Sequence, residues 1–191
     1  YAAAGYVKTV SDAEEGSIKA EATATVAYTN TRDTGDLVIT KVVSGTGGAV
    51  NREFDFTLTL EKNEHGANVN GTYDTTLTTT TDEGTTTETG ALTVKDGKAA
   101  SLIQLKHGQT LTIEGLPVGT TYTVTEDVPV ADGYEQTAAN VAKTGTIDDD
   151  TTETATFTNE RNVGNLTITK ELEGTGTDAS SPNVLESYHI K

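Results

Sequence analysis

Three polar residues stand where strand periodicity places apolar ones. Between residues 37 and 43, Leu37, Ile39 and Val43 share one face of an extended segment, and Lys41 shares it with them. Tyr122 and Val124 lie opposite Thr121, Thr123 and Thr125, and Glu126 continues their face. Ala155 and Phe157 lie opposite Thr154, Thr156 and Thr158, and Asn159 continues theirs. Other charged residues nearby fail the same test: Glu114, Asp127 and Lys95 are out of phase with their apolar neighbours. Lys62 is in phase with Phe54 to Leu60 but stands at a strand end, where it could reach water.

Burying a lone Lys or Glu is costly unless it is paired or neutralised. Burial lowers the pKa of Lys and raises that of Glu. The neutral amine is a nucleophile, and the protonated carboxyl can polarise an amide carbonyl. Beside an Asn side chain this set has a reaction open to it. The amine attacks the Asn Cγ, the Glu moves protons, and ammonia leaves behind an isopeptide bond. A permanent Lys41–Glu126 salt bridge, with Asn159 hydrogen-bonded alongside, is the alternative. Taken singly, an in-phase Lys can snorkel to solvent and an in-phase Asn can cap a turn.

Two members of the trio recur. Residues 23–47 and 152–176 align without a gap at an offset of 129, with 13 of 25 positions identical. Asn30 then corresponds to Asn159, and Lys41 to Lys170. Gly5-Tyr6 and Gly133-Tyr134 precede the respective copies of this segment. A repeat of this length has the size of one domain. The expected organisation is the last strands of a preceding repeat over residues 1–32, one complete unit over 33–160, and the start of a following repeat over 161–191. The far end, residues 180–191, no longer resembles the start of the complete unit and is expected to be disordered or foreign to it. Asn30 lacks its Lys and Glu, and Lys170 its Glu and Asn, so neither is expected to react within this chain. The absence of Met, and so of an initiator residue, reads as a piece excised from a longer protein.

The elements that must hold the trio read as strands almost throughout. Segments 37–43, 54–60, 99–105, 109–114, 120–126, 137–144 and 151–159 alternate, separated by Gly, Asp and Pro turns. Leu166 to Leu172 repeats the first of them. Residues 72–81 and 85–94 form an extended Thr-rich hairpin turned at Asp82-Glu83-Gly84. The chain is all-β, and short strands without helical period predict an antiparallel sandwich. Composition agrees: 40 of the 191 residues are Thr, suited to the outer faces of strands. There is no Cys, which excludes disulfides and thiolate metal sites. A net charge of -16 argues against nucleic acid or an anionic membrane as partner. No apolar run is long enough to insert in a membrane.

The order of motifs carries a resemblance. A Lys on the first strand is followed by Gly-Leu-Pro-x-Gly-x-x-Tyr-x-Val-x-Glu (Gly115 to Glu126) and by Phe-Thr-Asn on the last strand (Phe157 to Asn159). This pattern resembles the isopeptide domains of Gram-positive pilins and surface adhesins, of CnaB type and more closely the streptococcal pilin isopeptide linkage domain. The resemblance implies an Ig-like sandwich in which Lys41 and Asn159 are the bonded pair and Glu126 the catalytic acid. It implies a non-enzymatic stalk module outside the cell, on the bacterial surface. Its partners would be adjacent repeats, the cell wall through a sortase anchor elsewhere in the protein, and a host ligand. No cofactor is implied. Alternatives are an adhesin module that binds host protein or glycan, and an accessory β-sandwich of a secreted enzyme.

Remaining candidates are weak. Asp148-Asp149-Asp150 and Asp12, Glu14 and Glu15 lack the spacing of a calcium loop, so no metal site is expected. His65, His107 and His189 fall in isolated turn or terminal positions. The sequons at Asn70 and Asn165 are expected to carry nothing in a bacterial surface protein.

Overall fold

Alternation of Thr with Leu, Ile, Val, Tyr and Phe gives the core strands one face that leaves water and one that keeps it. In the computed structural model, which describes residues 6–10, 16–62, 66 and 69–169, that alternation becomes twelve strands. They are β1 (Val7–Val10), β2 (Tyr28–Thr31), β3 (Thr34–Ser44), β4 (Phe54–Leu60), β5 (Gly71–Thr81) and β6 (Gly84–Lys95). Then come β7 (Lys98–Ala99), β8 (Ile103–Leu105), β9 (Gln109–Pro117), β10 (Thr121–Glu126), β11 (Ala142–Thr146) and β12 (Thr152–Glu160). A 3₁₀ turn (Val130–Asp132) and a short helix, α1 (Ala138–Val141), precede β11.

β1 and β2 form a separate antiparallel pair. The rest join in the order β11-β10-β4-β7-β6-β5-β9-β3-β12, with β8 paired to β4. The order folds into a β-sandwich whose two ends, β11 and β12, come back into contact. One layer turns Leu37, Ile39, Ile113, Leu116, Ala155 and Phe157 inward. The other answers with Phe54, Phe56, Leu58, Leu60, Tyr122 and Val124. Phe56 and Phe157 meet edge to face across the layers, ring centroids 5.1 Å apart.

Several expectations are met closely. β4 has the anticipated bounds, and β5 and β6 pair without interruption from Gly71↔Val94 to Thr81↔Gly84. Others are corrected. The ladders are antiparallel except that β3 and β12 run parallel, from Asp36↔Thr152 to Ser44↔Glu160. Residues 137–144 are not one strand. Asn140 Oδ1 accepts the Thr137 backbone N–H at 2.7 Å and winds residues 138–141 into α1 before β11 begins. Residues 99–105 are split between β7 and β8. The strand expected at residues 166–172 has no counterpart in 161–169, which form no regular element, and continues outside the described residues. Among the described residues, no helix is long and apolar enough to cross a membrane.

Candidate functional site: a buried lysine, glutamate and asparagine

Lys41, Glu126 and Asn159 meet between the layers. β3 and β12 lie side by side, with Lys41 opposite Phe157 and Asn159 opposite Val43. Lys41 and Asn159 therefore share the inner face two positions apart, within reach of a long side chain. Glu126 ends β10, opposite Phe56 of β4, and enters from the other layer. All three are shut off from solvent: Lys41 and Asn159 are 0% exposed and Glu126 2%. Lys41 Nζ lies 2.9 Å from Glu126 Oε1. Asn159 Nδ2 donates to the same Oε1 at 2.6 Å. Beyond the contact with Oε1, Nζ has no hydrogen-bond partner among the described residues, and Glu126 Oε2 has none. The Phe54 ring lies beneath Nζ, its centroid 4.3 Å away.

This surrounding moves both ionisations toward the neutral forms. Burial lowers the pKa of Lys41, against the opposing pull of Glu126. Burial raises that of Glu126, against the pull of Lys41 and of the Asn159 hydrogen bond. The ion pair and the neutral pair differ only in the position of one proton, and the apolar walls favour the latter. The cluster thus holds an amine that can be a nucleophile, an acid that can pass a proton, and a carboxamide within contact of that acid.

A fourth residue belongs to the cluster. Asn140, 3% exposed, donates from Nδ2 to Asn159 Oδ1 at 3.0 Å. Strand phase could not find it, because it sits on α1. The spacing of Thr137 and Asn140, side chains that can cap each other three residues apart, was the available signal.

Among the described residues, the remaining candidates lie apart from this site. Asn30 is exposed on β2, opposite Lys8 of β1. Lys170, Asp12, Glu14, Glu15, His65 and His189 lie outside the described residues. Lys62 is exposed, past the end of β4. Asp148, Asp149 and Asp150 are exposed in a turn, and no group of three or more His, Cys, Asp or Glu among the described residues could hold a metal ion. His107 Nδ1 accepts the Val43 backbone N–H at 3.0 Å, a structural role. Asn70 Oδ1 accepts the Asp96 backbone N–H, and Asn165 is exposed.

Comparison with known proteins places the chain in a family. The model of a family described as Domain of unknown function (DUF7601) matches residues 35–161, about two thirds of the chain. The chain belongs to the DUF7601 family. Curated relatives include the pilus tip adhesin Cpa of Streptococcus pyogenes, 40% identical over 90 residues, which cover 47% of this chain and 11% of the adhesin. A pilin of S. pyogenes serotype M1 is 30% identical over 153 residues, covering 71% of this chain and 42% of the pilin. Among solved structures, the pilus-presented adhesin Cpa superposes with a TM-score of 0.51 at 32% identity, covering 68% of this chain and 28% of that one. The S. pyogenes major pilin gives 0.50 at 25% identity, covering 76% and 54%. The chain spans less than half the length of either curated relative. The likeness of this DUF7601 chain to streptococcal pilin and adhesin proteins therefore extends from the sequence to the all-β fold.

Proposed function

We propose that residues 33–160 form a structural stalk module of a Gram-positive surface pilus or pilus-presented adhesin, locked by a self-formed isopeptide bond between Lys41 and Asn159. One observation carries this reading: Lys41 Nζ and Asn159 Nδ2 both contact Glu126 Oε1 inside an apolar chamber, at 2.9 and 2.6 Å. One oxygen thereby touches the nitrogen that must lose a proton and the nitrogen that must gain one. The reaction starts from the neutral pair. Nζ adds to Cγ of Asn159, and the carbonyl π pair moves onto Oδ1. The proton released from Nζ passes through Glu126 to Nδ2. The carbonyl re-forms as the Cγ–Nδ2 bond breaks, ammonia leaves, and Glu126 is regenerated. Each chain reacts once, so the module is not an enzyme.

The relatives are a pilin and a pilus tip adhesin, which supports surface display of this module and its assembly with other subunits. On this reading, residues 1–32 and 161–191 belong to neighbouring repeats, and anchoring to the wall by sortase is supplied elsewhere in the protein. Asn30 and Lys170 do not react within the chain. The test is the intact mass under denaturing conditions, followed by tandem mass spectrometry of a digest. The expected result is a deficit of one ammonia and a branched peptide joined through Lys41 and Asn159. A full-mass chain with both residues in linear peptides would leave the salt bridge as the correct account.

A further inference from the structure

Asn140 does more than cap a helical turn. Its Nδ2 lies 2.8 Å from the Glu135 carbonyl oxygen, 3.3 Å from that of Thr158 and 3.0 Å from Asn159 Oδ1. Its Oδ1 accepts the Thr137 backbone N–H at 2.7 Å and the Thr137 hydroxyl at 3.2 Å. Carbonyls only accept and a backbone N–H only donates, so the Asn140 amide can point one way alone. That orientation fixes the next one. Facing an N–H donor, Asn159 must present Oδ1 to Asn140 and Nδ2 to Glu126. The capping role is met by Oδ1; the contact onto Asn159 is additional to it.

We propose that Asn140 is the oxyanion donor for formation of the Lys41–Asn159 bond, an inference that rests on the isopeptide reading of the same site. When Nζ adds to Cγ, negative charge develops on Oδ1, the atom to which Asn140 already donates. Glu126 contacts the nitrogen nucleophile and the nitrogen leaving group, and in this geometry it does not face the carbonyl oxygen. Polarisation of the carbonyl, given to the Glu by sequence reasoning, passes to Asn140. A donor held in place by its own backbone contacts needs little reorganisation as charge appears. Asn140→Asp retains an acceptor for the cap and, ionised, cannot donate.

The test follows full-length chains made by cell-free translation, quenched in denaturant at intervals and weighed. Only protease-resistant chains are counted, so that misfolding does not pass for slow chemistry. Asn140→Asp and Asn140→Ala should lose ammonia about 100-fold more slowly than the wild type, the typical effect of removing one such donor. Thr137→Ala, which removes a hydroxyl and leaves the backbone contact, should react at the wild-type rate. Acidification should speed Asn140→Asp relative to wild type, because a protonated carboxyl regains a donor. Wild-type rates in folded Asn140→Ala and Asn140→Asp would overturn the assignment while leaving the bond intact. A wild type that never loses ammonia would instead overturn the isopeptide reading itself. A crystal structure of the cross-linked wild type needs no variant: Asn140 Nδ2 should lie within hydrogen-bond distance of the isopeptide oxygen, and a non-bonded separation would refute the role.

Discussion

Lys41 and Glu126 face each other in a chamber that favours neither charge, and this gives them a pH signature. Take Asn159→Ala, which removes the carboxamide and leaves both titrating groups. The folded pKa of Glu126 is raised above 4.5, so the folded chain holds a proton that the unfolded chain releases. Stability should therefore fall as pH rises from about 4.5 through the raised value. The folded pKa of Lys41 is lowered below 10.5, so at higher pH the unfolded chain binds the extra proton. Stability should then climb from the lowered value up to about 10.5. Urea unfolding across this range should show a trough at intermediate pH. The cross-linked wild type, whose Lys41 no longer titrates, should lack the alkaline recovery, and a flat variant profile would contradict the shifts. A second prediction uses Glu126→Gln, which retains the shape and an acceptor oxygen but cannot relay a proton. It should stay at full mass, and its melting point should fall by roughly 10–20 °C. That range follows from a loop-closure contribution of about 5 kcal/mol and a shift of about 2–4 °C per kcal/mol. Calorimetry beside intact mass checks both parts. At this scale the trio was legible, because an alternating Thr face makes a single in-phase Lys, Glu or Asn conspicuous. Asn140 was not, because strand phase says nothing about a residue on a helical turn.

The elements explain why these side chains meet. β3 and β12 are the first and last strands of the unit, and their parallel pairing sets Lys41 and Asn159 on one face, two register positions apart. Period-2 reasoning found both strands and their inner faces but assigned them antiparallel neighbours. Alternation marks which face is buried and carries no information on the direction of the partner. A parallel pair needs a long crossover, and here the whole domain serves as that crossover. Turn chemistry was more legible. Asp96 and Gly97 both have positive φ, 49° and 75°, in a two-residue connection between Lys95 and its partner Lys98. Such a turn matches the twist of the strands it joins. A Cβ at Gly97 would press on the Leu60 carbonyl oxygen, and the Gly97 carbonyl accepts the Leu60 N–H at 2.6 Å. Gly97→Ala should thus cost about 1–3 kcal/mol. The measurement belongs in a Lys41→Ala background, where urea unfolding reads the fold without the cross-link. An unchanged midpoint there would show that the turn relaxes freely.

For the molecule as a whole, the proposed bond would decide where force travels. Tension applied to the two ends of the chain enters β3 before Lys41 and leaves β12 after Asn159. Without the cross-link, the adjacent parallel strands are loaded in shear along their shared register, from Asp36↔Thr152 to Ser44↔Glu160. That arrangement resists pulling through many hydrogen bonds at once, yet each is reversible. With the cross-link, the load crosses at Lys41–Asn159, and the 117 residues between them are removed from the path. The outward Thr faces, the hairpin β5–β6 and the two-layer core then bear no tension. A stretched stalk depends on a slow unfolding rate more than on equilibrium stability, and a covalent shunt supplies that without cysteine or an oxidant. Single-molecule stretching of the chain between handles should show no unfolding step from the 41–159 segment in the wild type. Lys41→Ala should restore one, releasing about 400 Å of contour length at roughly 3.4 Å per residue. A wild-type step of that size would place the segment in the load path and refute the shunt. The same step in Lys41→Ala at forces the wild type survives would assign its resistance to the bond rather than to the strands.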